Sequence, residues 1–325
     1  MDLFTELKEK VAGKQMRIVF PEATDKRILG ATIRLHNEKL LVPILLGNPE
    51  EVRQAAESFD YDLPSDILVI DPAKYDHFDE MVAAFVERRR GKATEEQARE
   101  LLLDGNYFGC MLVYQGEADG FVSGAVGSTA DTVRPALQII KTRPGTKLIS
   151  GSFVMLRGEE RYVFADCAIN LNPDAATLAD IAIESARTAE TFGIDPAVAM
   201  LSYSSKGSGV GENVDKVREA TEIAKEKAPE LKLDGELQFD AAFVPEVARQ
   251  KAPDSPVAGH ANVFVFPDLQ SGNIGYKMVQ RFGGFEAIGP ILQGMAKPVS
   301  DLSRGCVEED VYKIAIMTAS QALDA

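Results

Sequence analysis

Two periodicities share this chain. Short apolar runs closed by Pro, Gly or charged residues alternate with longer segments whose apolar side chains recur at helical spacing. Asp2–Val11 predicts an amphipathic helix, Met16–Phe20 a strand ended by Pro21, and Asp25–Lys39 a helix entered through the Pro21–Arg27 loop. Val42–Leu46 and Ile67–Ile70 predict strands, with helices over Glu50–Phe59 and Tyr75–Arg89. Thr94-Glu-Glu-Gln97 has the spacing of a capping box and starts another helix, which Tyr107–Tyr114 continues. Gly120–Ser123 is a short strand, and a helix follows from Thr129 to Ile140. Strands alternating with helices imply a mostly parallel sheet covered on both faces.

Arg143-Pro-Gly-Thr-Lys147 breaks this rhythm and marks a boundary. After it, Leu148–Met155 and Arg161–Ala165 read as a β-hairpin around Arg157-Gly-Glu-Glu160, so this half carries an antiparallel element. Alternation then resumes. Helices are expected over Thr177–Phe192, Val214–Lys227, Ala241–Arg249 and Ile274–Phe282. The strands are Val198–Ser202, Leu233–Gln238, Val263–Phe266 and Ala287–Ile291, the last before Pro298. From Val311 to Leu323 the spacing is helical again. Both halves are therefore α/β, and in open sheets of this kind ligands bind at the C-terminal ends of strands and in clefts between domains.

Length adds that 325 residues exceed one ordinary core. No apolar run approaches the ~20 residues of a membrane span, and the charged, periodic N-terminus reads as a helix rather than a signal peptide. A net charge of −15 argues against nucleic acid or an anionic membrane as partner. It also sets a condition: a phosphate ligand would need arginines gathered locally against an acidic background. Cys110, Cys167 and Cys306 are scattered, with no CxxC, which favours free thiols in a reducing cytoplasm. His36, His77 and His260 lack any ligand spacing, so no metal site is expected.

The densest chemistry lies in Pro298–Asp310, where Ser303, Arg304, Gly305 and Asp310 put a hydroxyl, a fixed cation, a hinge and a carboxylate just ahead of a helix. A loop at a helix N-terminus exposes unpaired N–H groups and suits an anion. An acid in a first helical turn is stabilising in any case. As a base toward a thiol of pKa ~8.5, a carboxylate near 4 has little driving force, so it needs burial or a cation such as Arg304 that favours the thiolate. Ser123-Gly-Ala-Val-Gly-Ser-Thr129, with Arg134 five residues on, fits a phosphate cradle; it equally fits an ordinary strand-to-helix turn with an N-cap. Lys206–Glu212, glycine-rich at every second residue, is neither a dinucleotide nor a Walker A loop; it reads as a flexible loop, with a mobile phosphate or pantetheine contact as the other reading. Glu87-Arg-Arg-Arg90 ends a helix, where cations are stabilised regardless; Arg281 before Phe282-Gly-Gly284 shares that ambiguity. Cys167 lacks a histidine nearby in sequence and reads as a buried structural cysteine.

Seven segments carry a resemblance to the phosphate acetyltransferases. They are Ile18–Glu22, Phe85–Thr94, Ser128–Gln138, Tyr162–Asn170, Gly235–Ala242, Ser271–Lys277 and Asp301–Cys306, spread over nearly the whole chain. The resemblance implies reversible exchange of acetyl phosphate and coenzyme A with acetyl-CoA and phosphate, CoA being a substrate, with no permanently bound cofactor. It implies two α/β domains of isocitrate/isopropylmalate dehydrogenase-like architecture with a cleft between them: residues 1–145 with 295–325, and 146–294. A homodimer is implied too. Carried over by motif, Ser303, Arg304 and Asp310 are catalytic; Arg88, Arg134, Ser128 and Thr129 bind substrate, and Arg281 is a candidate for CoA phosphates. A phosphate acyltransferase for a longer acyl chain, such as butyryl, is the neighbouring alternative. A hydroxyacid dehydrogenase would need a metal-binding aspartate cluster, which the sequence lacks. A non-catalytic CoA-binding regulator would not need the Ser-Arg…Asp set.

Overall fold

The computed structural model describes residues 2–324. The chain divides into two compact units, one formed by Phe4–Pro144 together with Met295 onward, the other by Gly145–Gly294.

The first unit opens with α1 (Leu3–Val11), β1 (Arg17–Phe20), α2 (Lys26–Asn37), β2 (Val42–Leu46), α3 (Pro49–Ser58) and β3 (Leu68–Ile70). It continues with α4 (Phe78–Arg89), α5 (Glu95–Leu101), α6 (Gly105–Gln115), β4 (Gly120–Ser123) and α7 (Thr129–Ile139). Polar side chains set most starts: Asp25 accepts from Arg27 N–H, Asn48 from Glu50 N–H with Pro49 as first helical residue, and Thr94 and Gln97 form the capping box. Between β3 and α4 the chain makes a 3₁₀ turn at Pro72–Lys74, so the helix expected from Tyr75 begins at Phe78.

The second unit follows with β5 (Ser150–Arg157), β6 (Glu160–Ala165), α8 (Ala175–Thr191), β7 (Val198–Leu201), α9 (Glu212–Lys227) and β8 (Leu233–Leu237). Then come α10 (Phe239–Phe243), α11 (Pro245–Lys251), β9 (Val263–Val265), α12 (Leu269–Gly283) and β10 (Glu286–Gln293). The single helix expected over Ala241–Arg249 is two, because Val244 is extended ahead of Pro245, which opens α11. Strands run in the order β10-β5-β6-β9-β7-β8. β5 and β6 form the expected hairpin, β10 adds a second antiparallel pair on β5, and the rest are parallel. Its core stacks Phe153 on Tyr276 with ring centroids 4.0 Å apart and packs Phe164, Phe264 and Met155 around them.

The chain then returns to the first unit with β11 (Val299–Asp301) and α13 (Glu308–Leu323). β11 is an element that the apolar pattern does not predict: it pairs in parallel with β4, Val299 opposite Phe121 and Asp301 opposite Ser123. Five parallel strands result, in the order β3-β2-β1-β4-β11. Phe20, Phe85, Phe108, Phe121 and Tyr312 are its largest fully buried side chains. Helix α6 lies close on the sheet at Gly109, where a Cβ would come within 2.6 Å of the Phe121 ring.

Candidate active site

The strand order fixes where a ligand belongs in the first unit. From β1 the chain moves to one side of the sheet to make β2 and β3; it comes back on the other side of β1 to make β4. Between β1 and β4 the order reverses, and open α/β sheets bind ligands at such a point, beyond the C-terminal ends of the strands. The loops that follow β1, β4 and β11 at those ends are Pro21–Asp25, Gly124–Ser128 and Leu302–Val307.

Arg27, at the start of α2, ties these loops together. Its Nη1 donates to the Arg304 carbonyl at 2.8 Å and to the Cys306 carbonyl at 3.1 Å, and its Nη2 donates to the Ala125 carbonyl at 2.7 Å. Asp25 holds the same guanidinium from the other side, through Nε at 2.9 Å and Nη2 at 2.8 Å. Burial works against the charge on Asp25, but the Arg27 fork wins and keeps its carboxyl below the ordinary carboxylate range. Leu302 N–H donates to the Ser123 carbonyl at 2.7 Å, fastening the start of the third loop to β4.

Ser303 and Arg304 are exposed within that loop. Ser303 Oγ accepts a long 3.3 Å bond from Gly305 N–H, which leaves its own hydroxyl proton to point elsewhere. The Arg304 guanidinium pairs with no carboxylate among the described residues; only its backbone is held, by Arg27. Asp310 is the third residue of α13, where its Oδ2 accepts from Val307 N–H at 2.9 Å. Cys306, between them in sequence, is buried, and burial pushes its thiol up to about 11 against the pull of Arg27. It is a poor nucleophile there.

The other expected site residues fall into two groups. Ser128 and Thr129 open α7 in the second loop, but both hydroxyls are engaged within the protein: Ser128 donates to Asp131 and Thr129 to Asp301, each at 2.7 Å. Arg134 lies on the exposed side of α7; burial raises the Tyr107 phenol, and the Arg134 charge partly offsets that. Arg88 is directed to α7's other end. Its Nε and Nη2 donate to the Ile139 and Ile140 carbonyls at 2.6 and 3.0 Å, and its guanidinium lies 4.5 Å from the Tyr114 ring centroid. Arg281 belongs to the second unit, exposed in the last turn of α12.

Four residues of this cluster escape a reading of motifs alone: Glu22, Asp25, Arg27 and Asp301. The Pro21–Arg27 loop contains three of them; Asp25 pairs with Arg27 two residues on, but the partners that Glu22 and Arg27 find in the other loops lie about a hundred or more residues away, as with Glu22 and Gly124, 102 residues apart. Asp301 is 1% exposed, accepts from Thr129 on one oxygen and has no hydrogen-bond partner on the other. Burial raises its pKa above the ordinary carboxylate value.

In the second unit, the glycine-rich loop after β7 is anchored rather than free. Gly207 N–H donates to the buried Glu236 at 2.8 Å, and Lys206 Nζ donates to the buried Asp234 at 2.7 Å. Cys167 is fully buried, and burial pushes its thiol well above its ordinary value. Among the described residues no group of three His, Cys, Asp or Glu could hold a metal ion, and no helix is long and apolar enough to cross a membrane.

Comparison with known proteins converges on one family. Residues 2–319 match the family model described as phosphate acetyl/butaryl transferase. The phosphate acetyltransferase of Bacillus subtilis (strain 168) is 62% identical over 322 residues, 99% of each chain, and that of Staphylococcus aureus (strain Mu50) is 56% identical over 326 residues. Among solved structures, a phosphotransacetylase from Streptococcus pyogenes superposes with a TM-score of 0.96 at 62% identity, covering 99% of this chain and 98% of that one. The EutD phosphotransacetylase from Staphylococcus aureus gives 0.93 at 55%, with the same coverage. A branched-chain phosphotransacylase from Enterococcus faecalis V583 shares the fold, with a TM-score of 0.69 at 18% identity over 94% of this chain and 99% of that one. The chain belongs to the phosphate acetyl/butaryl transferase family. Its class is acyltransferase, and its function is that of a phosphate acetyltransferase.

Proposed function

We propose that the chain moves an acetyl group reversibly between acetyl phosphate and coenzyme A by direct attack of the CoA thiolate, with no acetyl-enzyme intermediate. The observation that carries this reading is the Ser303–Arg304 pair. An exposed hydroxyl and a guanidinium without an ion-pair partner among the described residues sit side by side on a loop whose backbone Arg27 holds.

Three chemical needs follow from acetyl phosphate as donor: a thiolate, an oxyanion stabiliser and a cation on the departing phosphate. Asp310 takes the thiol proton. The sulfur bonds to the carbonyl carbon, Ser303 donates to the oxyanion that forms, and the carbon–oxygen bond to phosphorus breaks as the oxyanion collapses. Arg304, with Arg134 or Arg88, holds the phosphate as its charge grows. Ser128 and Thr129 belong to the phosphate side of this reading, and Arg281 to the CoA phosphates. The isocitrate/isopropylmalate dehydrogenase-like architecture, the division at residues 145 and 295, a homodimer and a cytoplasmic location complete it.

Thiol release from acetyl-CoA on adding phosphate tests the activity, and butyryl phosphate compared with acetyl phosphate tests the acyl preference. Replacing Ser303 or Arg304 by alanine should cut kcat by about 10²–10³, the usual cost of losing one oxyanion donor. Both side chains are exposed, so the fold should survive. Near-parental turnover in either variant would remove that residue from the mechanism, and phosphate exchange into acetyl phosphate without CoA would favour an acetyl-enzyme instead.

A further inference from the structure

Glu22, in the loop two residues beyond β1, reaches across the switch point and fills the loop that follows β4. Its Oε2 accepts from Gly124 and Ala125 N–H at 3.1 and 2.8 Å, and its Oε1 from Val126 and Gly127 N–H at 2.8 and 3.0 Å. Four backbone amides converging beyond a strand end make a concavity suited to an anion. Here the anion is the protein's own carboxylate, brought from 102 residues away.

That loop bears on the Ser303–Arg304 segment in two ways. Gly124, at φ +107, lies so close that a Cβ would come within 2.3 Å of Asp301 Oδ1 and 2.7 Å of the Leu302 carbonyl oxygen. The Ala125 carbonyl accepts from Arg27, whose other nitrogen holds the carbonyls of Arg304 and Cys306. Displacing residues 124–127 therefore shifts both the wall behind Leu302 and the guanidinium that pins Arg304.

We propose that Glu22 is a positioning residue: its carboxylate occupies the 124–127 amide nest in place of an external anion, keeps substrate phosphate out of it, and holds the loop in the shape on which the Ser303–Arg304 segment is built. Glu22 touches no reacting atom in this account. The turnover effect rests on the acetyl-transfer reading above; occupancy of the nest does not.

The test is chemical rescue with formate, a carboxylate small enough for the vacated nest. In Glu22→Ala, kcat should fall by about 10²-fold, the scale of a ~1 Å misplacement in an active site, and formate should restore part of it while leaving the parent unchanged. Formate should also raise the melting temperature of Glu22→Ala more than that of the parent, because it binds only the folded variant's open nest. Glu22→Gln keeps the volume but loses the charge; it should lose kcat with little change in KM for acetyl-CoA and show no response to formate. The proposal is overturned if Glu22→Ala turns over like the parent, or if formate leaves its turnover unchanged. Should Glu22→Ala not fold, parental turnover in Glu22→Gln overturns it. An inactive parent whose Glu22→Ala variant is still stabilised by formate would sink the acetyl-transfer reading and leave the nest standing.

Discussion

Thr129 Oγ1 lies 2.7 Å from Asp301 Oδ2, so a buried carboxylate ties the first turn of α7 to the end of β11. The second oxygen of Asp301 has no partner, and the backbone of Gly124 closes over it. Burial dominates, the Thr129 hydrogen bond only partly offsets it, and the carboxyl pKa rises.

A pH signature follows from that rise. The folded protein binds this proton more tightly than the unfolded chain does. Its contribution to stability is therefore complete below the ordinary carboxylate pKa of about 4 and is lost as pH climbs through the raised folded value. Asp301→Asn removes the titration and keeps an oxygen for Thr129 to donate to. The melting temperature of the variant minus that of the parent should accordingly increase from about pH 4 toward neutrality. Parallel melting curves across that range would mean that Asp301 carries no raised pKa.

Asp310 serves two purposes that a pair of substitutions separates. One oxygen caps Val307 N–H; the proposed mechanism asks the same carboxylate to take a proton from the CoA thiol. Asp310→Asn can still accept from Val307 but is no base, so turnover should collapse while the melting temperature barely moves. Asp310→Ala loses the cap as well and should cost about 0.5–1.5 kcal/mol more, the net worth of one such hydrogen bond. An active Asp310→Asn enzyme would leave the carboxylate with the cap alone.

What the sequence made legible follows the range of the interaction. The capping box at Thr94–Gln97 and the hairpin around Gly158 are local, and both are present. Asp310 falls in the first turn of α13 and Ser303 and Arg304 in the loop ahead of it, as the helical spacing after Val311 predicts. β11 escaped notice because three residues, two of them polar, carry no period of their own; only its register against Phe121–Ser123 makes Val299–Asp301 a strand. Glu22 and Arg27 were hidden for the same reason. Nothing near Glu22 in sequence announces the amides of Gly124–Gly127.

The cysteines allow a direct test of the choice between direct attack and an acyl-enzyme. Cys110, Cys167 and Cys306 are free and buried, and burial raises all three thiols, Cys306 to about 11. At pH 8 few of them are thiolate, so alkylation of the native protein by iodoacetamide should be slow and should speed up on unfolding. Cys167→Ala and Cys306→Ala should each retain most of the parent's turnover. A loss of about 10²-fold or more, the size expected for a missing transition-state group, would bring a thiol into the chemistry.

Asp166 repeats in the second unit what Glu22 does in the first, and its role there is structural. Placed just beyond β6 and 2% exposed, it accepts from the backbone N–H groups of Gly151, Ala168, Ile169 and Asn170 at 3.1, 2.8, 3.0 and 2.8 Å, and from the Asn170 amide at 2.6 Å. Five donors on one carboxylate leave no acceptor to spare when it is removed. Each buried donor left unmade costs about 1–3 kcal/mol, and the segment can recover only some of them through water. Asp166→Ala should therefore destabilise the second unit by more than about 3 kcal/mol, the upper cost of a single orphaned group. Amide hydrogen exchange at residues 168–170 should accelerate first, because their bonds end on the missing side chain. Asp166→Asn offers one oxygen and turns an NH₂ toward the same donors, so it should fall between the alanine variant and the parent. If exchange at residues 168–170 stayed as slow as in the parent, the loop would be held by its own packing and the carboxylate would be incidental to it.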